Sequence, residues 1–383
     1  MGPASPEHMA QQRGGDEGRP TRVRYAVVGA GHIAQAAVLP AFRNARRNSE
    51  LAAVVSGDEV KRGELGQKYR VATYDYGQLE ACLRDERVEA VYLALPNHLH
   101  CEYTERSAAA GAHVLCEKPM AVTVEECDRM LAAAERAGVK LMVAYRLHFE
   151  PASLKAMELG RSGRLGELRL FDSTFSMQVR EDDIRVDAEK GGGPLYDIGV
   201  YCIQAARMLF GAEPLEVRAM RARSADPRFG EVNEAVAAQL RFPGERLASF
   251  VCSFGAADVS SYRLVGTRGD LRVEPAYEYA EGLVHHLTLD GRTRTRRFAK
   301  RDQFAPELLH FSDAIRADRA PEPSGLEGKI DVQIIQALQR AAESGAAVSL
   351  PPLHSDRPPA PRQARSLVPV RKPALVRARS ASQ

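Results

Sequence analysis

The chain has 383 residues, 44% of them hydrophobic and none of them Trp, which is enough for two domains with sizeable cores. Its apolar runs are all shorter than the roughly 20 residues of a membrane span, and residues 1–20 lack the apolar core of a secretory signal. The six cysteines stand singly, without C-x-x-C pairing, as reduced core thiols do. These features disfavour a membrane or exported protein and predict a cytoplasmic globular one.

The net charge of +3 is unevenly distributed along the chain. Residues 351–383 carry seven basic side chains and one acidic side chain, a charge of +6, so the other 350 residues carry −3. This Pro- and Arg-rich tail, like the Gly- and charge-rich residues 1–21, has the composition of a disordered segment. The tail could be an arm for an anionic partner or a solvated extension. Because no aromatic side chains alternate with its arginines, a nucleic-acid partner is disfavoured.

Residues 22–145 alternate short apolar runs with amphipathic stretches of helical length. Buried strands are predicted at Val23–Val28, Leu51–Val55, Val88–Leu95, Ala112–Cys116 and Val139–Val143. Because the helical stretches lie between these runs, the pattern indicates βαβ units and a parallel sheet. The sequence therefore predicts a Rossmann-type dinucleotide-binding domain over residues 22–145.

The segment Gly29–Ala34 has the pattern G-x-G-x-x-A, follows the first strand and opens a helix. The first Gly permits a tight turn, the second lets the backbone approach a pyrophosphate, and the small Ala34 lets helix and strand pack closely. The helix N-terminus then faces the phosphate charge. An ordinary glycine-rich turn is the alternative. We expect a dinucleotide to contact Gly29, Gly31, His32 and Ile33.

The end of the second strand distinguishes NADP from NAD. An NAD enzyme usually offers an acidic residue to the ribose hydroxyls here, whereas this chain has Ser56 and Gly57, followed by Lys61 and Arg62. A hydroxyl and two cations suit a 2′-phosphate better than a bare ribose. Asp58 would repel a phosphate unless it caps the following helix. We therefore expect NADP, with NAD as the less favoured cofactor.

Two further segments lie where strands leave the predicted sheet, and ligands gather at such carboxyl ends. After the strand Val88–Leu95, Asn97 and His100 are expected to line the nicotinamide pocket together with Leu95 and Pro96, although turn and cap chemistry would also explain them.

After the strand Ala112–Cys116, Lys118 can fix a substrate hydroxyl and stabilise a developing alkoxide, and Glu117 could contact the nicotinamide ribose. A surface ion pair is the alternative for these two residues.

Asp197 and Tyr201 are four residues apart on a predicted helix, so they share a face. The preceding Gly191–Gly193 lets the chain approach the cofactor closely. A free phenol is a poor base at neutral pH, but a neighbouring ammonium such as Lys118 favours the phenolate, and Asp197 can orient the substrate. Lys118, Asp197 and Tyr201 therefore suffice to remove a hydroxyl proton while a hydride leaves. Core packing would explain the spacing of Tyr201 equally well.

The pattern changes after Tyr145. Helices are predicted at Pro151–Gly160, Leu195–Phe210, Pro306–Ala317 and Leu326–Ser344. Between the second and third of these, short strand-like runs follow one another without helix-length connections, which indicates an antiparallel sheet. These runs are Glu216–Ala222, Ala235–Phe242, Ala248–Phe254, Ser261–Val265, Leu271–Val273, Leu283–Leu289 and Thr293–Phe298. The sequence therefore predicts an α+β domain over residues 146–350.

Several of these segments together resemble one enzyme family. They are Gly29–Ala34, Val54–Asp58, Leu95–Asn97, Glu117–Pro119, Tyr145–His148, Gly191–Tyr201 and Gly325–Gly328. The chain resembles the Gfo/Idh/MocA oxidoreductases from about Val23 to Val348, most closely their glucose–fructose oxidoreductase branch. The resemblance implies a Rossmann domain and a substrate domain with a large, mostly antiparallel open sheet, whose exposed face commonly joins subunits into homodimers or homotetramers. It also implies reversible hydride transfer at a sugar or cyclitol carbon, without a metal.

The resemblance also implies roles for single residues. Lys118 and Asp197 match the family's catalytic lysine and aspartate, and Tyr201 matches the tyrosine acid/base of the branch. Arg146 matches an arginine near the substrate, and Tyr279 matches a pocket tyrosine. The positions of Ser56 and Lys61 match those that read the adenosine phosphate, which favours NADP. The exported member of the branch keeps its cofactor permanently bound with the help of an N-terminal arm. This chain lacks its export signal and has a short N-terminal segment, which disfavours a tethered cofactor that cycles between two sugars.

The leading hypothesis is an NADP-dependent dehydrogenase or reductase that acts on an aldose or a related pyranose. A cyclitol or nucleotide-sugar dehydrogenase would use the same machinery with a different pocket. A non-catalytic dinucleotide-binding regulator is a third possibility, which the presence of Lys118, Asp197 and Tyr201 disfavours.

Overall fold

The computed structural model describes residues 22–355 and 359–382. The predicted disordered segment 1–21 lies outside these residues. The N-terminal part is a six-stranded parallel sheet in the order β3-β2-β1-β4-β5-β6. Its strands are β1 (Val23–Val28), β2 (Ser49–Val55), β3 (Ala72–Tyr74), β4 (Ala90–Leu93), β5 (His113–Glu117) and β6 (Leu141–Ala144). This sheet confirms the predicted Rossmann fold.

The helices of this sheet begin and end at local sequence signals. At the start of α5, the Thr123 hydroxyl accepts a hydrogen bond from the Glu126 amide, and the Glu126 carboxylate accepts one from the Thr123 amide. The same helix ends at Gly138, which has a φ of +65°. The first helix starts with a π-helical segment, Ala34–Val38, that continues into α1. The helices are α1 (Leu39–Ala41), α2 (Glu59–Tyr69), α3 (Leu79–Asp85), α4 (His100–Ala109) and α5 (Val124–Ala137).

The C-terminal part contains a nine-stranded sheet in the order β14-β13-β12-β11-β7-β10-β9-β8-β15. Every neighbouring pair is antiparallel except β7 and β10, which are parallel. The strands are β7 (Leu168–Ser176), β8 (Glu216–Ala222), β9 (Ala235–Phe242), β10 (Arg246–Ser253), β11 (Val259–Gly266), β12 (Gly269–Val273), β13 (Val284–Leu289), β14 (Arg292–Arg297) and β15 (Val348–Ser349). This sheet confirms the predicted mostly antiparallel architecture.

The C-terminal part of the chain also contains the helices α6 (Pro151–Arg161), α7 (Val200–Phe210), α8 (Ala305–Arg316) and α9 (Gly325–Ser344). The fully buried guanidinium of Arg207 joins α7 to α9 through Asp331, 2.6 Å away, and Glu327, 2.9 Å away. Helix α8 instead packs on the parallel sheet, where Ser312 Oγ lies 2.9 Å from the Tyr25 hydroxyl. The chain thus returns to the Rossmann domain after building the second sheet. None of the helices within the described ranges is long and apolar enough to cross a membrane.

Residues 359–382 lie against the body of the protein, which differs from the disordered tail that composition predicts. The buried Gln35 side chain donates to the Val376 carbonyl at 2.9 Å and accepts from the Val376 amide at 2.8 Å. The Arg180 amide donates to the Ala381 carbonyl at 3.0 Å. On the tail's side these bonds use backbone groups alone, a feature that a composition dominated by Pro and Arg does not reveal.

Candidate active site

The two glycines of the first turn serve different purposes. Gly29 has a φ of +100°, and a Cβ atom there would lie 2.3 Å from the Ala94 carbonyl oxygen, so the backbone requires glycine. A Cβ atom on Gly31 would meet nothing within 4 Å. The side-chain position of Gly31 is therefore open space, which leaves the turn accessible to a ligand.

The turn forms part of a cavity of about 570 Å³ between the two sheets. Both domains contribute to its wall, as the sequence predicts. The predicted residues that line it are Gly29, Gly31, His32, Ile33, Ser56, Lys61, Leu95, Pro96, Asn97, Glu117, Lys118, Arg146, Asp197, Tyr201 and Tyr279.

Three residues expected to contact the cofactor do not line the cavity. Gly57 packs against the Tyr76 ring, and Arg62 donates to the Ser56 carbonyl at 2.6 Å and pairs with Asp75 at 2.9 Å. The His100 ring is fully buried between two carbonyl oxygens, each 3.0 Å from a ring nitrogen. Local partners therefore take up the polar groups of Arg62 and His100 and hold them away from the cavity.

Among the charged residues that directly follow β2, one cation lines the cavity. Asp58 caps α2 and accepts from the Val60 and Lys61 amides at 2.9 and 3.1 Å. These amide bonds, that of Lys61 foremost, hold the pKa of Asp58 below its usual value. The Lys61 and Ser56 side chains line the cavity, whereas Asp58 does not. This arrangement is suited to an anionic group at this end of the cavity.

Asp197 is the centre of a buried ionic cluster. Its carboxylate accepts from Lys118 Nζ at 3.2 Å and from Arg185 Nε at 2.7 Å, and its carbonyl oxygen accepts from Lys118 Nζ at 2.8 Å. Burial raises the pKa of Asp197, but Arg185 and Lys118 outweigh it and hold the pKa well below the usual range. Burial lowers the pKa of Lys118, but Asp197, Tyr201 and Glu117 together outweigh it and raise the pKa overall. Lys118 is therefore an ammonium at neutral pH.

The Tyr201 ring lies between two cations. Lys118 Nζ is 4.9 Å and the Arg146 guanidinium carbon 5.0 Å from its centroid. Arg146 is buried, with Gln303 and the Tyr277 carbonyl as hydrogen-bond acceptors. The same guanidinium also lies 5.4 Å from the ring of Tyr279. Predicted proton-transfer and substrate residues therefore meet at one place in the cavity wall.

A pair of buried carboxyl groups lies beside this cluster. Glu117 lines the cavity and accepts a hydrogen bond from the Tyr92 hydroxyl at 2.8 Å. Glu307 on α8 is fully buried, and neither of its carboxyl oxygens has a hydrogen-bond partner among the described residues. Burial raises the pKa of both groups, and the charge of Glu117 raises that of Glu307 further.

Sequence reasoning missed Arg185, although the glycine run after it contained the signal. A Cβ atom on Gly192 would lie 2.4 Å from the Arg185 carbonyl, and the Gly193 amide donates to the same oxygen at 2.8 Å. The Asn97 side chain donates to the Gly191 carbonyl at 2.8 Å. The run therefore brings the preceding loop against the helix that carries Asp197. That loop contains Arg185, which thus lies next to Asp197.

The cavity fits a dinucleotide. Its volume of about 570 Å³ lies within the roughly 300–1,000 Å³ of ligand sites, and the open position at Gly31 lets a phosphate approach the turn. His32 Nε2 is buried in the wall and has no hydrogen-bond partner in the described part of the chain, so a ligand can use it. Within the same residues, no three His, Cys, Asp or Glu side chains are placed to share a metal ion.

The chain is similar to known oxidoreductases along both domains. The oxidoreductase family with an NAD-binding Rossmann fold matches residues 23–145, and the Gfo/Idh/MocA C-terminal domain matches residues 153–272. The D-xylose 1-dehydrogenase (NADP(+)) 2 of Haloferax volcanii is 32% identical over 330 residues, which are 85% of this chain and 99% of that protein.

Two solved structures extend this similarity to three dimensions. The aldose-aldose oxidoreductase of Caulobacter crescentus, complexed with glycerol, is 36% identical with a TM-score of 0.82, covering 86% of this chain and all of that one. A 3-ketoreductase from Actinomadura kijaniata, in complex with NADP and TDP-benzene, is 27% identical with a TM-score of 0.77. The match covers 84% of this chain and 98% of that one. The family matches cover both domains, and the similarity extends over almost the full length of these relatives. The chain therefore belongs to the Gfo/Idh/MocA family of oxidoreductases.

Proposed function

We propose that the chain is an NADP-dependent oxidoreductase that transfers a hydride between the nicotinamide and a carbon of an aldose or related pyranose. The observation that carries the proposal is the meeting of Lys118, Asp197 and Tyr201 in the wall of the cavity that also contains the Gly29–Ala34 turn. That cavity is the place where a sugar carbon and a dinucleotide could come together.

The bound nicotinamide would accept or supply the hydride. In the oxidation direction, the Tyr201 oxygen takes the proton of the sugar hydroxyl, and in reduction it returns a proton to the carbonyl oxygen. The Lys118 ammonium donates a hydrogen bond to the same sugar oxygen and stabilises the negative charge that develops there. Asp197 and Arg185 hold that ammonium in place, so Asp197 acts by positioning Lys118.

NADP is proposed as the cofactor because of the charges at the end of β2. Lys61 and Ser56 line the cavity, and Asp58 is engaged by backbone amides instead of repelling a 2′-phosphate. Two of the similar proteins, the xylose dehydrogenase and the 3-ketoreductase, are named or crystallised with NADP.

The proposed substrate is a sugar because the similar enzymes act on aldoses or reduce a keto group, and because the cavity groups suit hydroxyl-rich ligands. Lys118, Arg146 and Tyr201 offer hydrogen-bond donors close to one another, and Tyr279 adds an aromatic face. Cyclitols and nucleotide sugars carry the same secondary alcohol and are the competing substrates.

The test is absorbance of the reduced nicotinamide with NADP or NAD across a panel of aldoses, cyclitols and nucleotide sugars. We expect turnover with NADP and an aldose, and a loss of about 10²–10⁴-fold in kcat for Tyr201→Phe, which is the usual contribution of a general acid–base group. Tyr69→Phe is the matched control, because Tyr69 on α2 lies away from the cavity.

The panel can contradict the proposal in two separate ways. Turnover that survives Tyr201→Phe would remove the acid–base role of Tyr201 and leave the dinucleotide site in place. Binding of NADPH without turnover on any substrate would favour a dinucleotide-binding regulator.

We further propose that two copies of the chain associate through the outer face of the nine-stranded sheet. Leu170 and Leu247 are register partners on β7 and β10, about half exposed at 49% and 50%, and Val251 lies on the same face at 43%. Met220 on β8 is 74% exposed. A contiguous apolar patch of this kind is typical of a subunit interface.

We also propose a cytoplasmic location. All six cysteines are buried and unpaired, as expected in a reducing compartment. Cell fractionation with the enzyme activity as the marker tests this, and activity outside the cytoplasmic fraction would contradict it.

A further inference from the structure

The end of the chain crosses the mouth of the cavity. Its Val376 is fixed by two hydrogen bonds to Gln35, in the helix that follows the Gly29–Ala34 turn. Five residues later, the Ala381 carbonyl accepts from the Arg180 amide, in the loop after β7. The segment between these anchors therefore spans from the Rossmann domain to the second domain, over the cavity between them.

Side chains of this segment belong to the cavity wall. The wall includes Lys372, Ser380, Ala381 and Ser382 together with the glycine turn and Lys118. Further contacts hold the segment against α2, where Lys68 Nζ donates to the Ala374 carbonyl at 2.9 Å.

We propose that residues 372–382, the C-terminal strap, form a wall of the dinucleotide site, with Lys372 binding the phosphates and the strap delaying dinucleotide release. This rests on the proposed function, in which the cavity holds NADP.

Among the described cations of the tail, Lys372 is the one that lines the cavity. Three arginines of the tail each have an acidic partner: Arg365 lies 3.0 Å from Asp313, Arg377 lies 3.6 Å from Asp58, and Arg379 lies 3.8 Å from Asp182. The Lys372 ammonium has no hydrogen bond or ion pair within residues 22–355 and 359–382, and it lines the cavity. A phosphate would give this cation the partner that the protein does not supply.

His32 connects Lys372 to the glycine turn. Burial lowers the pKa of His32, and the charge of Lys372 lowers it further. Both residues line the cavity, and His32 Nε2 has no hydrogen-bond partner among the described residues. A phosphate at the turn would meet helix amides, His32 and Lys372 together, which is the donor set that an anion prefers.

The strap also explains why release would be slow. The strap is fixed on both sides of the cavity, so we expect a bound dinucleotide to leave faster once the strap separates from Gln35 or from Arg180. Each separation breaks buried hydrogen bonds, so it adds to the barrier for release and changes the rate of dissociation more than that of association.

The experiment uses the full chain, a chain that ends at Arg371, and the variants Lys372→Ala and Arg371→Ala. Release of NADPH is followed by stopped-flow fluorescence after a chase with excess NADP, and its Kd is measured by titration. We expect release to be about tenfold faster without the strap, since losing one or two buried hydrogen bonds of about 1 kcal/mol each changes the rate by that factor. Thermal melting of each protein verifies that it is folded.

The two single substitutions each remove a charge without shortening the chain, so they test the charge of Lys372 separately from the presence of the strap. Arg371 is exposed and does not line the cavity, so it is the matched control. We expect Lys372→Ala to raise the Kd for NADPH about threefold, as for an exposed ion pair, with the difference shrinking at high salt, and Arg371→Ala to leave it unchanged.

The possible failures are distinguishable. Equal release rates from the full and shortened chains would overturn the strap while leaving the dinucleotide site intact. Equal losses from Lys372→Ala and Arg371→Ala would overturn the phosphate contact. A full chain that does not bind NADPH at all would overturn both the strap and the proposed function.

Discussion

Glu307 is the residue whose surroundings are least favourable to its charge. Its carboxyl group is fully buried beside Glu117 and has no hydrogen-bond partner in the described part of the chain. Burial raises its pKa well above the usual value, so the folded protein keeps a proton there that the unfolded chain loses above about pH 4.3. Stability is therefore lost as the pH rises from that value through the pKa of the folded state.

Glu307→Gln should make the protein more stable at pH 7.5 and change it little near pH 4. An amide has the shape of the protonated acid and no proton to lose, and each pKa unit of the original shift corresponds to about 1.4 kcal/mol. Urea unfolding at the two pH values measures the effect. Glu64→Gln, on the exposed side of α2, is the control. If the Glu307→Gln variant kept the pH dependence of the original chain, Glu307 would have to be ionised in the fold.

Most of the candidate site could be predicted at the level of single residues, since motif positions such as Lys118 and Asp197 carry their own signal. Residues whose positions depend on contacts with distant parts of the chain could not be predicted in this way. Arg185 reaches Asp197 from a loop whose course depends on close packing at Gly192. His100 matches a cavity position in sequence, but two carbonyl oxygens at 3.0 Å turn its ring into the core.

Among the elements, the glycine turn between β1 and α1 allows a sharp comparison of two substitutions. Gly29→Ala would combine a left-handed φ with a contact of 2.3 Å to the Ala94 carbonyl, so we expect a loss of stability of about 1–3 kcal/mol or more. Gly31→Ala adds a methyl group to open space, so we expect an unchanged melting temperature but weaker NADPH binding, because that space is on the ligand side. Thermal melting and fluorescence titration measure the two effects.

Gly63→Ala is the matched control for these variants. It lies in α2, where an added Cβ meets nothing within 4 Å, so the change should stabilise the protein by about 0.5–1 kcal/mol. The interpretation fails if Gly31→Ala lowers the melting temperature as much as Gly29→Ala does.

Prediction of the elements succeeded where hydrophobic periodicity was strong and failed at β7. The strands of the parallel sheet are continuous apolar runs, which is the pattern of strands buried on both faces. Strand β7 instead buries Phe171, Ser173 and Phe175 while Asp172 faces outward. Its sequence therefore mixes polar and apolar residues and lacks a continuous apolar run. Its place between β11 and β10 depends on partners that follow it in the chain by about 80 residues, which no local pattern reports.

For the whole molecule, the exposed sheet face predicts the oligomeric state. Leu247→Lys places a charge on this face beside Leu170, and burying that charge in an interface would be costly. We expect this variant to be monomeric and the original chain to be a dimer or tetramer in sedimentation or light scattering. Val60→Lys, at an exposed valine of α2, is the control. A monomeric original chain would contradict the proposed interface.

The path of the C-terminal strap has a consequence for how the protein is made. Every other wall of the cavity, from Gly29 to Phe304, leaves the ribosome before residues 372–382 do. Domains generally fold in the order of their synthesis, at about 5–20 residues per second. A nascent chain with both sheets in place therefore has an uncovered dinucleotide site. Loading of the dinucleotide can precede docking of the strap, and a newly made molecule need not take up its first cofactor by the same route through which a mature one exchanges it.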